Sequence, residues 1–227
     1  MRVLVIDNHI ETDSWGSASL RRFARLLPSA TFYVRRAPHG DLPANPSAFD
    51  RIIVSGSKTS ALEDAPWISK LHEFIRATVD LKKPYLGVCY GHQALVRALG
   101  GKESCQRGAD SEHGWTEIEV LHDSRLLEGL PKRFHSFSSH YDEVTRLPGK
   151  MRLLARSEAC AVQACELQGY PVFGIQFHPE KDLKEALRLF QEWKKTGTPA
   201  QPLRADESDR LFDPNVGETI FRNFLSL

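Results

Sequence analysis

Apolar residues gather along the chain in two rhythms, and the change between them predicts the architecture. In the first hundred residues, short aliphatic runs at 3–7, 31–34, 51–55 and 84–89 read as strands buried on both faces. The first, third and fourth runs are each followed by a helical pattern. Leu20, Phe23, Ala24 and Leu27 recur at helical spacing, as do Leu71, Phe74, Ile75 and Thr78, and residues 90–99 continue as helix straight from the fourth run. Strands alternating with helices predict a mostly parallel sheet with helices on both faces. From about Gly114 the rhythm changes to closely spaced strands at 115–120, 136–140, 152–157, 162–166 and 172–178. Their links are too short for parallel crossovers, so they predict an antiparallel extension of the same sheet.

Helix returns at 182–195, with Leu183, Leu187 and Phe190 on one stripe, and again at 217–227. Between them, residues 196–215 are polar, carry three prolines and hold no sustained period, which reads as an exposed surface insertion in a single domain spanning 1–227.

Charge narrows the function. Thirty basic residues against twenty-nine acidic ones leave a net charge of +1, too little to draw nucleic acid or an anionic membrane surface. The opening holds four consecutive apolar residues, Val3 to Ile6, too few for a signal peptide, and no run approaches the roughly 20 of a membrane span. The expected location is the cytoplasm. Four cysteines without CxxC spacing fit a reducing compartment and leave room for a free thiol nucleophile. The nine histidines show no metal-ligand spacing with them, and Gly56-Ser57-Lys58-Thr59 is too short for a phosphate loop, so neither metal nor cofactor is expected.

The strongest chemical signal is Gly87-Val88-Cys89-Tyr90-Gly91-His92-Gln93, set between an apolar strand and a helix. A nucleophile on a tight strand-to-helix turn stands clear of the sheet, and glycines two residues either side give the backbone clearance. The helix behind it presents free N–H groups and partial positive charge, which favour thiolate and face a developing oxyanion. A buried cysteine before a helix is more often packing, so the heptad needs a partner. Phe177-His178-Pro179-Glu180 supplies one at the end of another apolar run. Strands of one parallel sheet end on the same edge, which lets His178 reach Cys89 and Glu180 curl back to the far imidazole nitrogen. Alone, His178 reads as a satisfied strand-end histidine and Glu180 as a solvated carboxylate capping the next helix; their joint placement favours catalysis.

On these motifs the chain resembles the class I glutamine amidotransferases. The pattern G-x-C-x-G-x-Q matches Gly87, Cys89, Gly91 and Gln93, and His-Pro-Glu matches His178, Pro179 and Glu180; the likeness extends over nearly the whole chain. The resemblance implies a flavodoxin-like three-layer α/β sandwich and a triad of Cys89, His178 and Glu180. It also implies an oxyanion hole from the backbones of Gly56 and Tyr90, with Ser55 and Ser57 standing where the family usually has glycine and proline. It further places substrate-binding roles on Gln93, Ser139, His140 and Tyr141, which on their own read as a helix-face residue and a turn between strands.

The implied substrate is glutamine or another γ-glutamyl compound. Three fates of the chemistry stay open. The chain could feed ammonia to a synthetase on a separate chain, in the manner of the glutaminase domain of GMP synthetase, since it carries no synthetase module of its own. It could act alone on γ-glutamyl amides or peptides, a branch that the run Ser139 to Val144 resembles equally. Or it could be a catalytically silent binding module.

Overall fold

The computed structural model describes residues 1–197 and 201–227, side chains at 110 and 201–203 excepted; residues 198–200 of the expected insertion lie outside the described residues. Ten strands join one sheet: β1 (Arg2–Asp7), β2 (Thr31–Arg36), β3 (Arg51–Val54), β4 (Tyr85–Val88), β5 (Cys105–Val120), β6 (Arg133–Val144), β7 (Met151–Arg156), β8 (Ala164–Leu167), β9 (Val172–Ile175) and β10 (Gln201–Leu203). Five α-helices accompany them: α1 (Pro66–Asp80), α2 (Tyr90–Gly100), α3 (Leu183–Thr196), α4 (Ser208–Leu211) and α5 (Pro214–Leu225).

Strands β2, β1, β3, β4 and β9 lie side by side and parallel. That is the 2-1-3-4-5 order of the flavodoxin-like fold, with β9 as the fifth strand. The pleat divides the core as period 2 demands. Leu4, Ile6, Ile52 and Val54 face α1 and α2 on one side. Val3, Val5, Ile53, Leu86 and Ile175 face α5 on the other, together with Leu20 and Phe23. Strand β9 is the pivot of the sheet, parallel to β4 on one edge and antiparallel to β8 on the other. Beyond it β8, β7, β5 and β6 pair antiparallel, giving the extension that the second rhythm predicts.

Three elements differ from the sequence reading. Residues Ala18–Leu26 form a 3-10 helix instead of an α-helix. Leu20, Phe23 and Leu26 repeat every third residue, so a threefold helix turns all three onto the core, where Leu20 and Phe23 are buried. Ser139 to Asp142 belong to the strand β6 and make no turn. The segment 196–215 is only partly exposed: β10 pairs parallel with β5 at Glu112 to Gly114, and Leu211 of α4 packs with Trp115, Phe137, Ala186 and Phe190 in a third apolar cluster under α3. Apolar anchors that far apart in a proline-rich stretch show no period, which hides them from sequence.

Candidate active site

The turn from β4 into α2 carries Cys89 at φ 51, ψ −104, a backbone conformation that side chains rarely adopt. Close approach explains why the elbow tolerates only glycine around it. A Cβ on Gly87 would lie 2.3 Å from the Gly91 carbonyl oxygen, and one on Gly91 would lie 2.2 Å from the Val54 oxygen. The Cys89 N–H donates to the Ile175 carbonyl at 2.8 Å, tying the elbow to β9. Cys89 is thus held at the carboxyl end of β4, at the N-terminus of α2.

Past the end of β9, the chain brings His178 to the same edge. Its N–H donates to the Phe137 carbonyl of β6 at 2.6 Å, and its ring hydrogen-bonds the Cys89 side chain. The far ring nitrogen, Nδ1, donates to Glu180 Oε1 at 2.6 Å. Burial opposes charge on His178, but the Glu180 carboxylate and then Cys89 outweigh it and push the imidazole up to about 10. Burial likewise opposes charge on Glu180, yet the facing imidazole leaves its carboxyl below the usual range. Both shifts describe one buried ion pair, an imidazolium held between a thiol and a carboxylate. Helix α5 backs the turn closely: a Cβ on Gly217 would fall 2.3 Å from the Pro179 oxygen.

Gly56 lies against both reacting groups. A Cβ there would stand 3.0 Å from His178 Cε1 and 3.6 Å from Cys89 Cβ. Ser55 and Ser57 take over the bracing that a glycine-proline loop would give: Asn8 Nδ2 donates to the Ser55 carbonyl at 2.8 Å, and Ser57 Oγ donates to the Asn8 carbonyl at 2.7 Å. Tyr90 sends its buried ring away toward Trp67, with centroids 5.8 Å apart, so its backbone is what it offers at the helix start.

The remaining candidates separate. Ser139 brings its carbonyl to 3.9 Å from Cys89 Sγ. Tyr141 is half-exposed, with Arg107 stacked over its ring at 4.2 Å. Gln93 is buried, and its amide donates to the Asp142 carbonyl at 2.6 Å and to Gln176 Oε1 at 3.0 Å. His140 turns inward from β6, its Nε2 bonding Glu112 Oε2 at 2.9 Å.

Two features escape a reading by sequence spacing. Gln176 Nε2 donates to Cys89 Sγ at 3.6 Å; a polar residue closing the apolar run 172–176 was the one local sign of it. The second is a buried cluster of Glu112, His140 and Cys160, whose donor atoms lie within 4.8 Å of one another, so the absence of metal-ligand spacing along the chain did not keep such groups apart in space. The cluster satisfies itself, because Glu112 also accepts from Ser157 Oγ at 2.6 Å and from Gln163. With no donor left over, the arrangement fits a buried hydrogen-bond network better than an ion site.

A flavodoxin-like sheet with a thiol, an imidazole and a carboxylate in line at the carboxyl ends of β4 and β9 defines the class of α/β proteins built for acyl transfer through a cysteine. Within that class, residues 5–193 match the family model for glutamine amidotransferase class-I. The chain belongs to that family.

It is 39% identical over 181 residues to the glutamine-hydrolysing GMP synthase of Aeropyrum pernix, a match covering 78% of this chain and 32% of that protein. It is 36% identical over 158 residues to the glutamine-hydrolysing GMP synthase subunit from Pyrococcus abyssi, covering 69% of this chain and 76% of that one. With the corresponding subunit from Methanothermobacter thermautotrophicus the identity is 31% over 192 residues, covering 84% and 95%. The fold superposes on a glutamine amidotransferase from Thermotoga maritima at a TM-score of 0.80 and 24% identity, covering 100% of this chain and 96% of that one. No helix among the described residues is long and apolar enough to cross a membrane.

Proposed function

We propose that the protein hydrolyses the side-chain amide of glutamine, with Cys89 as nucleophile, His178 as acid and base, and Glu180 orienting the histidine. The observation that carries this reading is the geometry of the elbow: Cys89 at positive φ, bonded to a His178 that Glu180 holds charged. The Cys89 thiolate attacks the glutamine δ-carbonyl carbon, and the carbonyl π electrons move onto oxygen, where the N–H groups of Gly56 and Tyr90 receive them. The C–N bond then breaks as the His178 imidazolium gives its proton to the departing nitrogen, leaving ammonia and a γ-glutamyl thioester. A water, deprotonated by the now neutral His178, attacks the thioester; the C–S bond breaks, glutamate leaves and the thiolate–imidazolium pair is restored.

Gln93, Ser139, His140 and Tyr141 form the strand-and-helix wall on which the amino-acid end of the substrate would rest. Of these, Ser139 and Tyr141 are the two with surface to offer; Gln93 and His140 support them from behind. Relatives named as glutamine-hydrolysing subunits of GMP synthase, which match over most of their length, favour release of the ammonia to a synthetase on a separate chain. The test is glutamate release from glutamine by the purified protein, alone and with a co-purified synthetase. Turnover that rises with the partner supports delivery of ammonia; faster turnover of a γ-glutamyl peptide without any partner would replace glutamine as the substrate.

A further inference from the structure

We infer that Gln176 is a catalytic residue, an amide N–H donor to the Cys89 thiolate whose aim is fixed by Gln93. This rests on the cysteine-nucleophile reading above and adds a group that neither family motif contains. The argument begins at a backbone atom. The Asp142 carbonyl can only accept, so the atom of Gln93 that meets it at 2.6 Å must be the amide nitrogen. The same nitrogen lies 3.0 Å from the Gln176 side chain, which must therefore present its oxygen. That leaves the Gln176 nitrogen pointing at Cys89 Sγ, 3.6 Å away. One carbonyl of β6 thus sets the orientation of two amides in series, and the last of them faces the nucleophile.

Gln176 and Gln93 are both buried, so neither amide has water to satisfy it or free volume in which to turn. The backbone N–H of Gln176 donates to the Gln163 carbonyl at 2.8 Å, pinning its Cα at the end of β9. Such a donor stabilises a sulfur anion more than a neutral thiol, since a charged acceptor strengthens the bond. It acts beside His178 but on a different side of the reaction: His178 loses its proton to the leaving amide, whereas the Gln176 N–H keeps its own throughout. It therefore holds Sγ in place while the C–S bond forms and takes up the sulfur's returning charge when that bond breaks. It also accounts for Gln93, which acts as a positioning residue through Gln176 and needs no contact with substrate.

The pH dependence of Cys89 alkylation by iodoacetamide, in the full chain, tests this. Gln176→Met removes the donor and keeps the volume. Its inflection should move up by about one unit, slowing alkylation at neutral pH about tenfold, while the plateau at high pH matches the wild type. A residue that only supported the fold would lower the plateau instead. Because position 176 is buried, Gln93→Leu provides a second route: it leaves Gln176 in place but unaimed, and should move the inflection the same way by a smaller amount. An unshifted inflection in whichever variant folds overturns the inference. Alkylation consumes no glutamine, so the two readings fail separately. A shifted profile in a protein that hydrolyses no glutamine removes the substrate and spares Gln176; an unshifted one in an active glutaminase removes Gln176 alone.

Discussion

The molecule holds two buried sets of the same three groups. Cys89, His178 and Glu180 meet at the carboxyl edge of the parallel strands, and Cys160, His140 and Glu112 meet within the antiparallel flank. Their surroundings set them apart. Cys89 stands on a strained elbow at a helix N-terminus, beside an imidazole pushed up to about 10. Cys160 sits in a turn between two strands, where burial and then Glu112 push its thiol well above the usual range. In the first set the carboxylate bonds to the histidine and charges it. In the second, the carboxylate is shared among His140, Ser157 and Gln163, so its charge is spent on holding the flank together. Reactivity follows from the helix terminus and from what each carboxylate faces, not from which residues are present.

The largest effect should separate the two thiols. Cys89→Ala is expected to reduce glutamate release by about 10⁴-fold or more, as loss of a nucleophile that works in concert with its base does. Cys160→Ala should leave it within a few-fold. Peptide mapping after brief iodoacetamide treatment of the native protein should find label on Cys89 and none on Cys160. Equal labelling would erase the distinction.

Next comes the carboxylate. Glu180→Gln keeps the shape of the turn but removes the main group that charges His178, leaving burial to lower it. The sign follows directly: the imidazolium, which in the wild type persists until about pH 10, is lost at lower pH, and the alkaline limb of kcat/KM moves down. At neutral pH the rate should fall on the order of 10³-fold. An alkaline limb that stays in place would mean that Glu180 does not set the charge of His178.

How much of this was open to sequence follows the same division. The parallel half was legible because buried strands followed by helices leave long, regular patterns, and because glycines around Cys89 mark a tight turn whose close approaches the structure shows at Gly87 and Gly91. The relay of Cys89, His178 and Glu180 could be assembled from the rule that parallel strands end on one edge. The second set could not, since Glu112, His140 and Cys160 come from two strands and a turn whose register depends on side-chain packing. Gln176 and Gln93 were similarly hidden, because an amide's role depends on which way it faces. The helix α4 packs through Leu211 from within a segment without periodicity, so its burial had no local sign.

The elbow's stability gives a third contrast. Gly91→Ala would drive a Cβ to 2.2 Å from the Val54 oxygen, a backbone atom that can move only with β3. Thermal unfolding should show a loss of about 3 kcal/mol, with activity falling too, because β3 leads directly into Gly56. A stable, active Gly91→Ala protein would show that the elbow is looser than its contacts indicate.

The smallest effect on rate should come from the flank, and it decides whether the comparison holds. Glu112→Gln replaces a carboxylate that accepts from three side chains by an amide that can accept at one end only. At least one buried donor loses its partner, which costs about 1–3 kcal/mol of stability by chemical denaturation. The folded fraction should still hydrolyse glutamine within roughly threefold of wild type, because the aim of Gln93 depends on the backbone carbonyl of Asp142 and not on the Glu112 side chain. His140 does touch that carbonyl, at 3.2 Å, so a path from the flank to the nucleophile exists. A large fall in rate at full folding would show that the path carries charge from one set to the other, and that the two are halves of a single site.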